Sequence, residues 1–169
     1  MVPVSASRIP DEVSTARLRL PVITPVEARA ILGGHRETSW HPDYPRKDDV
    51  DAAGMVRDGD AWGPRHIVRA FDGQVCGSIG FFGPPQDADD EVPEVEVGYG
   101  LVPDARGHGA ATEALQGLLG HVDAAGIRVR ASVEPTNTPS VRVLAKCGFT
   151  GLRGSDEDGN LVMVRPLPA

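Results

Sequence analysis

The chain has few cysteines: Cys76 and Cys147 are its only two in 169 residues. They have neither metal-ligand spacing nor a framework pattern, which excludes a disulfide scaffold and fits a reduced, cytoplasmic protein. Met1–Asp11 lacks a basic stretch followed by an apolar run, so no signal peptide is expected. No apolar run approaches the roughly eighteen residues needed to span a bilayer, and no membrane partner is expected. Positive charge is also short: 17 Lys and Arg face 24 Asp and Glu, a formal net charge of −7. Nucleic-acid binding rests on cations that neutralise phosphates, so that partner class is disfavoured. The acid surplus suits a cationic or amine substrate, or serves solubility alone. The five histidines lack ligand spacing, so no metal site is expected. Gly-x-x-x-x-Gly-Lys-Ser/Thr and Gly-x-Gly-x-x-Gly are both absent, which argues against a P-loop and a dinucleotide fold.

What is present describes one domain over residues 1–169, with residues 1–14 as a loose arm carrying two prolines. Apolar residues make up 40% and charged residues 24%, ordinary for a globular chain. Residues 17–20 alternate and read as a strand. Thr24, Pro25 and Glu27 carry a helix start with a capping box, and Gly33-Gly34 ends that helix. Residues 35–47 read as an irregular loop, and 48–57 as a second helix. Asp72-Gly73 joins strands at 66–71 and 75–82 into a hairpin. A strand over 94–102 runs into a Gly-rich turn and a helix over 109–125. The apolar face of that helix is Ala111, Ala114, Leu115, Leu118, Leu119 and Val122. A strand at 127–133, a helix at 137–147 and a hairpin over 149–165 complete the chain.

The chemistry concentrates where the 94–102 strand opens the next helix. A helix start leaves N–H groups unpaired at the positive end of the helix dipole, and such groups hold phosphates. Gly107 and Gly109 let the backbone approach a pyrophosphate, and Arg106 or His108 adds charge at the rim. Two glycines alone would equally suit a plain strand-to-helix connection.

The stretch Arg106-Gly107-His108-Gly109-x-Ala111-Thr112-Glu113-Ala114-Leu115 resembles the acetyl-CoA motif of GNAT acetyltransferases. The first motif position, usually Gln or Arg, is Asp104 here. Three further blocks are similar to the branch that acetylates ribosomal-protein N-termini: residues 15–20 with Thr24-Pro25, residues 96–99, and residues 137–140 with 143–149. The resemblance implies a GNAT fold of the α/β (α+β) class, a mixed, mostly antiparallel sheet of about seven strands flanked by four helices. It implies direct transfer of an acetyl group from acetyl-CoA to a primary amine, either a small molecule or a protein N-terminus. Glu96 is the expected general base, with Glu94 in reserve. The tyrosine that many members use as an acid is replaced by Leu144, which leaves Ser140 or solvent to protonate the thiolate. By the same resemblance, Leu101 and Val102 pair with the pantetheine arm through their backbone, as an added strand would. Asn137 and Ser140 also contact that arm, and Arg106, Gly107, His108, Gly109, Ala110 and Ala111 hold the pyrophosphate. Asn137 and Ser140 equally suit helix capping. Tyr99 is read as core packing, and Cys147 as a small hydrophobe. Trp40, His41 and Tyr44 are the candidate acceptor wall, with Trp62 a further candidate. These aromatics equally suit anchoring of their loop onto the core, the reading that Trp62 favours. A succinyl-CoA-using variant, a non-catalytic acyl-CoA sensor on the same fold and a homodimer remain open.

Overall fold

The computed structural model describes residues 9–168. Its elements run β1 Glu12–Ser14, β2 Leu18–Pro21, α1 Pro25–Leu32, α2 Lys47–Ala53, β3 Arg65–Arg69, β4 Val75–Phe81, β5 Gln86–Asp87 and β6 Pro93–Leu101. A short 3₁₀ turn, Pro103–Ala105, leads on to α3 Ala110–Ala124, β7 Arg128–Val133, α4 Thr138–Lys146, β8 Gly151–Ser155 and β9 Leu161–Arg165. The sheet order is β1-β2-β3-β4-β6-β7-β9-β8, with the two-residue β5 paired to β6. Only β6–β7 is parallel among the named pairings.

This is the expected mixed, mostly antiparallel GNAT sheet with four helices, but with nine strands rather than seven. The two extra strands are short. β5 lies in the acidic loop, and β1 pairs Val13 with Leu20 inside the stretch read as a loose arm. Ile9 and Val13 are 2% and 5% exposed, so burial of these two side chains ties the described part of that stretch down. Residues 1–8 of the arm lie outside the described residues. The second helix is also shorter than expected: it ends at Ala53, capped by Gly54, rather than at Arg57.

Local chemistry explains the other helices. Thr24 Oγ1 accepts from Glu27 N–H at 3.2 Å and Glu27 Oε1 accepts from Thr24 N–H at 3.0 Å, the full capping box. In α3, Leu115, Leu118 and Val122 are fully buried on one stripe. Gly117 in the same helix lets β1 approach: a Cβ there would lie 2.8 Å from Thr15 Cγ2.

Side chains alternate along β6, which sorts the molecule into two faces. Ser78, in register with Gly100, donates to Asp49 on α2, so the even-numbered β6 residues face α2. Val95, Val97, Tyr99 and Leu101 point the other way, toward the layer where α3 packs on β6 and α4 packs on β7.

Candidate active site

The Gly-rich turn has the geometry of an anion cradle. Gly107 and Gly109 stand at φ 81° and 80°, a region glycine enters without strain. Gly109 is the N-cap of α3 and makes no side-chain cap. The first helical bond runs from Glu113 N–H to the Gly109 carbonyl, so the N–H groups of Ala110, Ala111 and Thr112 precede it. Open space faces Gly107: a Cβ there would meet nothing within 4 Å. These features fit a pyrophosphate bound at the positive end of the helix dipole.

A cluster that the sequence reading missed holds this turn. Arg17 Nη1 donates to the His108 carbonyl at 3.0 Å, and Arg17 Nε donates to Glu113 Oε1 at 2.8 Å. Glu113 Oε2 also accepts from the Arg17 backbone N–H at 2.9 Å and from Thr15 Oγ1 at 2.5 Å. Glu113 thus clips the start of α3 to the β1–β2 connection and brings a guanidinium to the turn. The pairs span more than ninety residues, so spacing alone gave no signal.

The rim residues behave differently from expectation. Arg106 leans back, its Nε donating to the Leu101 carbonyl at 3.0 Å. His108 is exposed and serves the turn through its carbonyl. The Val102 N–H donates to the Cys76 carbonyl at 2.8 Å, and the Val102 carbonyl accepts from Ala105 N–H at 3.0 Å. The backbone groups expected to meet the pantetheine arm at Leu101 and Val102 therefore already have partners inside the chain, through the Leu101 carbonyl and both Val102 groups. Asp104, at the departing motif position, accepts from or pairs with His41 Nε2 at 3.2 Å and approaches Arg69 Nη1 at 3.9 Å. It ties the turn to the loop before α2 and to β3.

Between β6 and β7 the sheet opens. The two pair from Glu94↔Arg128 to Glu96↔Arg130 and then part, β6 continuing along β4 to Leu101 and β7 along β9 to Val133. At this split Tyr99 Oη lies 2.8 Å from Ser140 Oγ, so Tyr99 is more than core packing. Asn137 Oδ1 accepts from Ser140 N–H at 3.2 Å, which caps α4. Desolvation pushes the Tyr99 phenol up, with a smaller opposing effect from Ser140.

The two strand glutamates separate in role. Glu94 is 4% exposed and accepts from Arg128, Arg130 and Arg153 at 2.6–2.7 Å. Chiefly Arg153, with Arg128 and Arg130, holds its carboxyl at about 2, against a partial opposition from burial. It is an ionic anchor, not a base in reserve. Glu96 accepts one bond, from Arg130 Nε at 3.1 Å, and keeps 26% of its side chain exposed.

On the α2 side, a cleft of about 250 Å³ opens over β4 and β6, and Arg46, Asp48, Asp51, Met55, Phe82 and Gly98 are among its lining. Asp49, fully buried, takes two bonds from the Arg46 guanidinium, which lies flat on Gly100 where any Cβ would sit 2.4 Å from Nη2. Phe82 covers Gly98 in the same way. Trp40, His41 and Tyr44 do not line this cleft. They are buried anchors of the loop before α2: Trp40 packs edge-on against Tyr44, and Tyr44 Oη meets His66 Nδ1 at 3.0 Å. Trp62 packs edge-on against Phe81. Cys147 is buried with its Sγ toward the Thr112 carbonyl, and burial pushes its thiol up, which fits packing. Among the described residues, no helix is long and apolar enough to cross a membrane, and no His, Cys, Asp or Glu group could hold a metal.

Known proteins share this fold. A curated relative from Bacillus licheniformis, "Uncharacterized N-acetyltransferase p20", is 38% identical over 85 residues, 49% of this chain and 45% of its own. The chain thus spans about half the length of that relative. Among solved structures, a GnaT-family acetyltransferase assigned in Bordetella pertussis superposes with a TM-score of 0.64 at 26% identity, covering 93% of this chain and all of its own. Mycobacterium smegmatis RimJ, solved with CoA-disulfide, gives 0.59 at 24% identity over 92% and 87%. Residues 17–150 match the model of the acetyltransferase (GNAT) domain, and the chain belongs to the GNAT acetyltransferase family.

Proposed function

We propose that this acetyltransferase moves an acetyl group from acetyl-CoA to a primary amine held in the α2-side cleft. One observation carries the reading: along β6, Glu96 faces the cleft side while Tyr99 and Ser140 meet on the opposite side, where the sheet splits. The acyl donor supplies an activated thioester carbonyl. Its pyrophosphate suits the turn at Gly107–Ala111, with Arg17 behind it. Its pantetheine arm suits the opening between β6 and β7, provided Arg106 releases the Leu101 carbonyl or shares it. The acceptor enters from the other face. Asp48 and Asp51 at the cleft rim favour a cation, and Met55 and Phe82, 40% and 54% exposed, favour an apolar body beside the amine.

Glu96, through a water, takes a proton from the ammonium so that the nitrogen lone pair is free. The C–N bond forms and the C–S bond breaks while both partners are held, which supplies much of the rate by proximity. Glu96 passes that first proton on to solvent, and after the C–N bond forms the nitrogen loses its second surplus proton to solvent. The departing sulfur leaves on the Ser140 side as a thiolate and is protonated there.

Labelled acetyl-CoA run against a panel of amines and N-terminal peptides, with succinyl-CoA beside it, tests the reading. Glu96→Gln is expected to lower kcat by at least about a hundredfold, the lower end of general-base contributions, with coenzyme A binding unchanged. Full activity in that variant would remove Glu96 as the base. Binding of coenzyme A without turnover of any amine would instead support a non-catalytic sensor.

A further inference from the structure

Tyr99 holds a proton that it must donate somewhere. Its ring is half-buried at the split, and desolvation keeps the phenol protonated at neutral pH. A desolvated hydroxyl costs free energy unless its hydrogen is bonded. Two acceptors are within reach: Ser140 Oγ at 2.8 Å and the Ser140 backbone carbonyl at 3.4 Å. The first has normal O–H···O geometry and the second is long. With the phenol donating to Oγ, the Ser140 hydrogen is not spent on Tyr99. The Ser140 backbone is itself fixed, its N–H bound to Asn137 Oδ1 at 3.2 Å. The hydroxyl hydrogen is then left to turn toward the space between β6 and β7.

We infer that Tyr99 is a positioning residue, which fixes Ser140 with its hydroxyl hydrogen aimed at the sulfur that departs in acyl transfer. The inference rests on the function proposed above. Tyr99 does not supply the proton: a phenol pushed above its ordinary value is a poor acid toward a thiolate. Ser140 stabilises the thiolate by a hydrogen bond as the C–S bond breaks, and solvent then protonates the sulfur. No proton is lost from Ser140 or Tyr99 over the cycle.

The test uses Tyr99→Phe, Ser140→Ala and the double variant of the full chain, each checked for an unchanged thermal midpoint. The first readout needs no acceptor. The pH titration of thiolate absorbance for coenzyme A bound to the protein should move to higher pH in Tyr99→Phe and in Ser140→Ala, and no further in the double variant. The second readout is kinetic, with the best amine from the panel. Tyr99→Phe is expected to lower kcat about tenfold, the effect of one lost hydrogen bond, with KM for acetyl-CoA within twofold. The same substitution in the Ser140→Ala background should add nothing. Equal losses in both backgrounds, or an unmoved thiol titration in Tyr99→Phe, overturn the role of Tyr99. A shifted titration in a protein that acetylates no amine leaves Tyr99 in place and removes the amine-transfer reading instead.

Discussion

At the scale of single residues, Glu94 and Glu96 carry the same charge two positions apart on one strand face, and only their surroundings separate them. Glu94 is buried among three guanidiniums; its carboxyl sits at about 2, below the ordinary 4.5. A carboxylate whose folded value is depressed contributes stability above its unfolded value. The contribution is therefore full above about pH 4.5 and disappears as pH falls from there toward 2. The shift corresponds to roughly 3 kcal/mol at neutral pH. Glu94→Gln is expected to cost on the order of 2–4 kcal/mol, because Arg128 is left half-buried with Asp90 as its remaining anion. Urea unfolding at pH 7 and at pH 4 checks both points: the variant loses stability at pH 7, and its deficit narrows at lower pH. A deficit unchanged with pH would mean that packing, not charge, sets the cost. The sequence marked both glutamates as candidates but did not separate them. The arginines that decide the matter come from β7 and β8, 34 to 59 residues away.

Elements were more legible than sites, because helices and strands announce themselves locally. The capping box at Thr24 and Glu27 and the apolar stripe of α3 are read within a few residues, and each formed. The hairpin at Asp72-Gly73 formed too, but β3 ends at Arg69 and the connection takes four residues, 70–73, rather than two. The failures were short elements whose existence depends on distant partners, such as β1 against β2 and β5 against β6. Tyr99 shows the same limit at the site. Its alternation with Val97 and Leu101 was read correctly as one face, but that face carries Ser140 across the split. Trp40 and Tyr44 failed for the opposite reason. Aromatics in a loop suit a pocket wall and a core anchor equally, and their full burial decides for the anchor. The family resemblance was densest at the Gly-rich turn before α3, and two glycines test whether that turn binds acetyl-CoA. Gly107 stands at φ 81° with open space before it, whereas Gly120 is an exposed position inside α3 that is equally uncrowded. Gly120→Ala is expected to stabilise the protein by about 0.5–1 kcal/mol through helix propensity, with KM for acetyl-CoA unchanged. Gly107→Ala forces an L-residue into the left-handed region at about 1–2 kcal/mol and puts a methyl where a phosphate would approach. Its KM for acetyl-CoA should rise several-fold with kcat at saturation within twofold. If KM stays unchanged in Gly107→Ala, this turn does not bind the pyrophosphate.

The whole molecule is one sheet held together at its narrowest place by β6. Five strands, β1 to β4 with β6, form an antiparallel half, and β7, β9 and β8 form the other. They meet along three register pairs, Glu94↔Arg128 to Glu96↔Arg130, reinforced on one face by the Glu94 arginine cluster. Above that seam the halves diverge, and the α3 turn and the α4 start stand on either side of the gap. A ligand that fills the gap therefore touches both halves and stabilises the domain as a unit rather than ordering one loop. Mass action sets the size: at a hundred times its dissociation constant, a ligand bound only to the folded state adds about 2.7 kcal/mol. For a domain of this length that shift is on the order of 5–10 °C in Tm. Calorimetry with rising coenzyme A should give a single transition that moves upward with ligand and stays single. Glu94→Gln, which loosens the seam, should show a lower midpoint without ligand and a comparable ligand-induced shift, because the turn and the split are untouched. Two resolved transitions in the native protein, only one of them ligand-dependent, would mean that the halves unfold separately and that the gap does not join them.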